Sequence, residues 1–419
     1  MNGTAAPPRA AYLADVFEEH LEELAFLWER WRAALRDPRY TLAAVAALEE
    51  RILARLHGAQ VPGAPTWPRL AQLVHGPDAD LAFAAACVLL RCGAPAGAET
   101  VLAALAAAED DVVPALARAL AHGPLAPSAL ARVRAMLSAR PARRAAAAAE
   151  VLAFHGVLDL APDPLRYFLE DEDAGTREAG WRLAALAGTT PPPASFGRAM
   201  RDPAPKVTRA ALEAGAWCGV PGVLAVLRRL AEAPPPSAVD TLYLLAVLGT
   251  AEDAPRIRAL VAAPALGPGR FRLAGAFGHP DLMDLVLTGM ESPDAATAAA
   301  AGEAFTRLTG VEALSETRVA LPPAHGRPPD EFETAFLEEV ALPDAARARD
   351  EWDAMRPRAE HAVRLCRGAD VAGAPETEAG ERLDMESRWE LLLRRRFHHG
   401  GSGTSRLLEV FPQASGPPA

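Results

Sequence analysis

Asp202-Pro203-Ala204-Pro205-Lys206-Val207-Thr208-Arg209-Ala210-Ala211-Leu212-Glu213-Ala214-Gly215-Ala216-Trp217-Cys218-Gly219 is the stretch whose reading decides the fold. The aspartate and prolines stop one element and cap the next. An Ala- and Leu-rich run of high helix propensity follows. Glycine closes it, because glycine accepts the left-handed C′ conformation without a Cβ penalty. Working outward, closing glycines recur at Gly93, Gly123, Gly156, Gly188, Gly249, Gly278 and Gly310, each 29 to 33 residues from the next. Independent loops would not keep so constant a spacing. Turns rich in Asp and Pro precede the glycine-closed runs, as in Gly76-Pro77-Asp78, Asp171-Glu172-Asp173 and Ser292-Pro293-Asp294. A second, shorter amphipathic segment lies between each glycine and the next turn, as in Val223-Leu224-Ala225-Val226-Leu227-Arg228-Arg229-Leu230. Two helices in each such repeat predict an α-solenoid, in which helices bury their apolar faces by stacking on neighbouring units.

The units resemble HEAT repeats of the short phycobilin-lyase kind, whose motif runs Asp-Pro, a few residues, Val-Arg, then an Ala-rich helix ending in Gly. Asp202 to Ala211 fits with its arginine displaced by one place, and Thr176-Arg177 stands in register one unit earlier. Other units lack the arginine, so a regular Asp–Arg ladder is not expected. The fold expected is all-α: a solenoid of about eight HEAT-like repeats, a helical hairpin before it and an irregular helical segment after it.

The expected hairpin spans residues 10–60. Leu13, Phe17, Leu21, Leu24, Trp28, Trp31 and Leu35 form a stripe at steps of three and four, and Leu42, Val45, Leu48, Ile52 and Leu56 form a second. Trp28 and Trp31 have two readings, as the packing of a solenoid cap or as exposed anchors for another protein. The repeats are expected over 61–310, a Pro-rich acidic linker over 311–342, and a helical segment with a disordered tail over 343–419. In that last segment helices are expected to start at Pro343-Asp344 and to span Glu381 to Phe397.

The run His20, Glu22, Ala25-Phe26-Leu27-Trp28, Arg30, Tyr40, Leu42, Leu48, Arg51, Leu56, Gly58 and Trp67, with Pro343-Asp344 to Trp352, resembles an uncharacterised proteobacterial HEAT-repeat family. Genes of that family often lie beside type VI secretion loci. The resemblance implies an accessory or scaffold role and supplies no catalytic residue.

The 419 residues carry 43 Lys and Arg against 54 Asp and Glu, a net charge of -11. Nucleic acid is therefore not the expected partner. Lys206 is the only lysine. The acidic start (Asp15, Glu18, Glu19, Glu22, Glu23) lacks the pattern of a signal peptide, and no strongly apolar run could span a membrane. A cytoplasmic protein with reduced Cys87, Cys92, Cys218 and Cys366 is expected.

Chemical motifs are sparse. Arg394-Arg395-Arg396-Phe397-His398-His399-Gly400-Gly401-Ser402-Gly403 lacks the order of a phosphate-binding loop, and there is no His-Glu-x-x-His pair or Gly-x-Ser-x-Gly elbow. His75, His122, His155 and His279 fall at or near repeat turns and are expected as cap or surface residues. No catalytic residue, cofactor or metal is expected. The leading expectation is a non-enzymatic protein-interaction scaffold or adaptor, an accessory of type VI secretion, binding an unidentified protein through Trp28, Trp31, Arg177, Arg182, Arg209 and Glu213. The alternatives are a HEAT-type enzyme or chromophore-handling (lyase-like) factor, and an obligate structural subunit of a larger assembly.

Overall fold

Helix after helix begins where an aspartate can cap it. Asp78 accepts the amides of Asp80 and Leu81 at 3.0 Å, Asp173 that of Thr176 at 2.7 Å, Asp294 that of Thr297 at 2.9 Å and Asp344 that of Arg347 at 3.0 Å. Each satisfies backbone donors that the first helical turn leaves open.

The computed structural model describes residues 8–92, 96–138, 142–158, 162–321, 337, 339–372 and 383–400. Gly93, the Pro-rich part of the expected linker (322–336) and the tail expected to be disordered lie outside the described residues. The chain divides into two compact units between Val220 and Pro221, within the stretch expected as one repeat array.

In the first unit, α1 (Pro8–Ala34) and α2 (Leu42–Gln60) form the expected hairpin. One row of stacked helices comprises α4 (Ala79–Arg91), α6 (Val113–His122), α8 (Ala142–Phe154), α10 (Ala174–Ala187) and α12 (Pro205–Trp217). These are the Ala-rich helices, and the small side chains let their axes approach closely. The shorter helices α3 (Trp67–Val74), α5 (Gly97–Ala107), α7 (Pro127–Ala135), α9 (Pro162–Leu169) and α11 (Pro193–Ala199) alternate with them. Helix α1 packs on α4, where Trp28 and Trp31 join Phe83 and His122 in an aromatic cluster.

In the second unit the corresponding row is α14 (Val239–Leu248), α16 (Arg270–Phe277) and α18 (Ala295–Thr309), alternating with α13 (Gly222–Glu232), α15 (Ala254–Val261) and α17 (Met283–Met290). Helices α19 (Ala345–Ala359) and α20 (Met385–His399) follow, close to the two helices expected there. The chain is all-α with two small exceptions. Strands β1 (Leu314–Ala320) and β2 (Glu339–Pro343) pair antiparallel, as do β3 (Leu365–Cys366) and β4 (Ala369–Asp370). The first pair lies at the two ends of the stretch expected as a linker, joined by a ladder that sequence periodicity does not reveal.

The periodic glycines are not all present for one reason. Gly156, Gly188, Gly219, Gly278 and Gly310 have φ between 64° and 78°, as the closing role requires. Gly123 and Gly249 have φ of -83° and -58° and are glycine for lack of room. A Cβ on Gly123 would sit 2.5 Å from Leu90 Cδ1, and one on Gly249 would sit 2.7 Å from the Leu245 carbonyl oxygen.

Stacked repeats are also joined by charge. Arg177 donates to Asp202 through Nε at 2.7 Å and Nη2 at 2.9 Å, and Arg228 to Asp253 through the same two nitrogens at 2.8 Å each. Arg258 holds Asp284 in the next step. A partial Arg–Asp ladder therefore exists. It was missed because its second and third rungs lie on α13 and α15, outside the Ala-rich helices that carry the motif.

Candidate functional site

The Ala-rich row of the first unit carries a groove of about 260 Å³. Its floor is small or aliphatic: Ala185 and Leu186 of α10, Ala210 and Ala214 of α12. Its walls are charged, with Arg118 from α6, Glu150 from α8, Glu178 and Arg182 from α10, and Lys206, Arg209 and Glu213 from α12. Arg36, just past α1, completes the rim. The repeat explains the arrangement. Glu150, Arg182 and Glu213 each stand six residues before a closing glycine (Gly156, Gly188, Gly219), so successive helices present the same position to the same face.

The charges are not evenly matched, at five cations to three carboxylates. Each carboxylate has a partner: Glu150 with Arg118 at 3.6 Å, Glu178 with Lys206 at 3.3 Å, Glu213 with Arg36 at 3.1 Å. Arg182 and Arg209 are solvent-exposed and make no ion pair or hydrogen bond with the described residues. Two guanidinium groups therefore face the groove with their donors open. Guanidinium matches carboxylate and phosphate oxygens in a two-pronged geometry, which makes this a place for an anionic group.

Of the residues expected from sequence, Arg182, Arg209 and Glu213 meet at this groove. Arg177 is instead committed to the joint with Asp202 and to the Asp171 and Glu172 carbonyls, each at 2.8 Å. Its hydrogen bonds hold the Asp202 carboxyl below the usual range. Trp28 and Trp31 correct the anchor reading. They are 1% and 0% exposed, stacked with ring centroids 4.9 Å apart, and the Trp31 indole donates to Glu49 Oε1 at 3.0 Å. They cement the cap and present nothing outward. Arg36, Arg118, Glu150, Glu178 and Lys206 were missed, although the constant offset from the closing glycines would have found Glu150.

The histidines divide. His75 is exposed, and His279 caps the turn before α17 by accepting the Asp281 amide at 3.3 Å. His122 is half-buried, its ring packed among Trp28, Trp31 and Phe154, against expectation. Burial first, then the charges of Arg118, Arg91 and His155, pushes its pKa down to about 3.

In the second unit the equivalent face of the row is covered by α20. Glu386 accepts from Arg272 at 2.5 Å and from Arg307 at 2.5 Å, while Glu390 accepts from Arg307 and from the Tyr243 hydroxyl. Burial raises the Glu390 carboxyl despite Arg307, and burial drives the Tyr243 hydroxyl well above its ordinary value. Arg364, buried against the carbonyls of Ala276 at 2.5 Å and Ala246 at 3.0 Å, is lowered to about 9 by burial and by Arg394. Arg394 and His398, part of the basic run before Gly400, are spent on carbonyls at the end of α14. Among the described residues, no group of three or more His, Cys, Asp or Glu could hold a metal ion, and no helix is long and apolar enough to cross a membrane.

No protein-family model matches the chain, and no curated protein matches it. Among solved structures it is similar to human deoxyhypusine hydroxylase in complex with glycerol, at 17% identity and a TM-score of 0.22, covering 70% of this chain and 96% of that one. Against the expectation of a non-enzymatic scaffold or adaptor, the solved structure found to be similar is an enzyme. At that identity and TM-score it transfers no reaction, substrate or residue role. The secretion accessory role is withdrawn with the adaptor reading.

Proposed function

We propose that the chain is a HEAT-type enzyme or ligand-handling factor that binds its substrate through carboxylate or phosphate groups in the charged groove of the first unit. The observation that carries this reading is the open pair Arg182 and Arg209 in a wall where every carboxylate already has a cation. Glu150, Glu178 and Glu213, each held by a cation, line the groove beside the two open guanidinium groups. Assignment of the repeats to the short HEAT kind rests on Asp202 to Ala211 and Thr176-Arg177.

The reading is tested by incubating the chain with a pool of carboxylate- and phosphate-bearing metabolites and peptides and following their masses. At least one compound should be consumed by the natural chain and spared by the Arg182→Ala/Arg209→Ala variant. A pool left untouched by both, or consumed equally by both, overturns the proposal.

A further inference from the structure

The position six residues before each closing glycine continues past the groove. It holds Cys87, Ala117, Glu150, Arg182 and Glu213 before the glycines from Gly93 to Gly219, and Tyr243, Arg272 and Ala304 before Gly249, Gly278 and Gly310, so it is polar from Glu150 to Arg272 and apolar at both ends. What that position does in the second unit is visible. Tyr243 donates to Glu390 and Arg272 to Glu386, two carboxylates one helical turn apart on α20. The row's face thus receives a helix whose Trp389 and Leu393 are buried and whose paired glutamates lie on its cations. In the first unit the same position presents Arg182, with Arg209 beside it, over a floor of alanines.

We infer that the groove on α10 and α12 takes an acidic helical segment of a polypeptide, its carboxylates one turn apart on Arg182 and Arg209. This rests on the proposed function and names its substrate class. Three features support this occupant. The cations are open, the alanine floor admits a helix closely, and the repeat position of Arg182 is filled in the second unit by Arg272, which already holds a glutamate of a helix. Each carboxylate of such a pair can accept two parallel N–H bonds from one guanidinium fork.

The test uses the full chain and a fluorescein-labelled, Ala-based 20-residue helical peptide with two glutamates one turn apart and flanking leucines, beside its Gln counterpart. Fluorescence anisotropy should show the Glu peptide binding at least tenfold tighter than the Gln peptide. The Arg182→Ala/Arg209→Ala variant should lose that tenfold, with circular dichroism unchanged because both side chains are exposed. Arg229→Ala, on exposed α13 surface, should lose nothing. Equal binding of the two peptides, equal loss in the Arg229 variant, or tighter binding of a single-stranded oligonucleotide than of the Glu peptide would overturn the inference. Citrate and pyrophosphate distinguish it from the reading beneath. If they bind in an Arg182- and Arg209-dependent manner while the peptide does not, the helical occupant falls and the anion groove stands. If neither binds, both fall.

Discussion

His122 is a residue whose type suits a surface turn and whose surroundings do not. Its ring lies edge-on to Trp28, Trp31 and Phe154, in a place where an imidazolium would lose its hydration and face Arg118 and Arg91. The folded chain therefore keeps it neutral down to about pH 3, whereas in the unfolded chain it protonates near its ordinary value of about 6.5. Between those values the unfolded state binds the extra proton, so folding stability falls as pH is lowered through this window and is fully present above it. The loss approaches about 5 kcal/mol at the acid end. Urea unfolding at pH 7 and pH 4 should show a smaller loss in His122→Phe than in the natural chain. Imidazole NMR should show one histidine that does not titrate above pH 4. An ordinary titration near 6.5 for every histidine would refute this. Sequence gave no hint of the burial, because the aromatic partners come from α1 and α8, 91 and 32 residues away along the chain.

At the scale of elements, what was legible is what is local. Capping aspartates, Ala-rich runs and closing glycines lie within one repeat, so the helices could be read off. The β1–β2 ladder could not, because its register joins residues of neighbouring segments that carry no shared periodicity, such as Val319 with Val340, and the seating of α20 could not, because it depends on pairs such as Tyr243 with Glu390, separated by 147 residues. The groove was half legible for the same reason. Arg182, Arg209 and Glu213 belong to a recognised motif region, but Arg36 reaches Glu213 across 177 residues. Helix α20 itself yields a prediction. Arg307 is buried, and its compensation comes from Glu386 and Glu390. Neutralising both glutamates leaves the guanidinium without a counter-charge in an apolar setting, a change that costs about 3–5 kcal/mol when one side of a buried pair is removed. Glu386→Gln/Glu390→Gln should therefore release α20 and make the chain cleavable by trypsin at Arg388. Adding Arg307→Met should restore much of the resistance, since a buried ion pair replaced by apolar groups of similar size is often neutral. Persistent cleavage in the triple variant would argue that the glutamates hold α20 by some other means.

Across the whole molecule, stability is a sum of short-range joints. Rows in which each helix rests on the next repeat's helix have mostly near-neighbour contacts, so a defect is felt by adjacent repeats and fades beyond them. Each unit also has its own large buried side chains, Trp28, Trp31, Trp181 and Phe83 in the first and Phe305 in the second. Trp31→Ala removes a fully buried ring and the hydrogen bond to Glu49, a cost of about 3–5 kcal/mol for truncation of a large aromatic side chain. That cost should be spent locally. Hydrogen exchange should lose protection in α1, α2, α4 and α6, while amides of α14, α16 and α18 exchange as in the natural chain. Uniform loss of protection through α18 would mean that the repeats unfold as one cooperative block and that near-neighbour additivity does not hold here. The same experiment bears on the groove. Its lining comes from Arg36 past the end of α1 and from α6, α8, α10 and α12, so loosening the cap should move Arg36 away from Glu213 and leave that carboxylate open, weakening anion binding without touching Arg182 or Arg209.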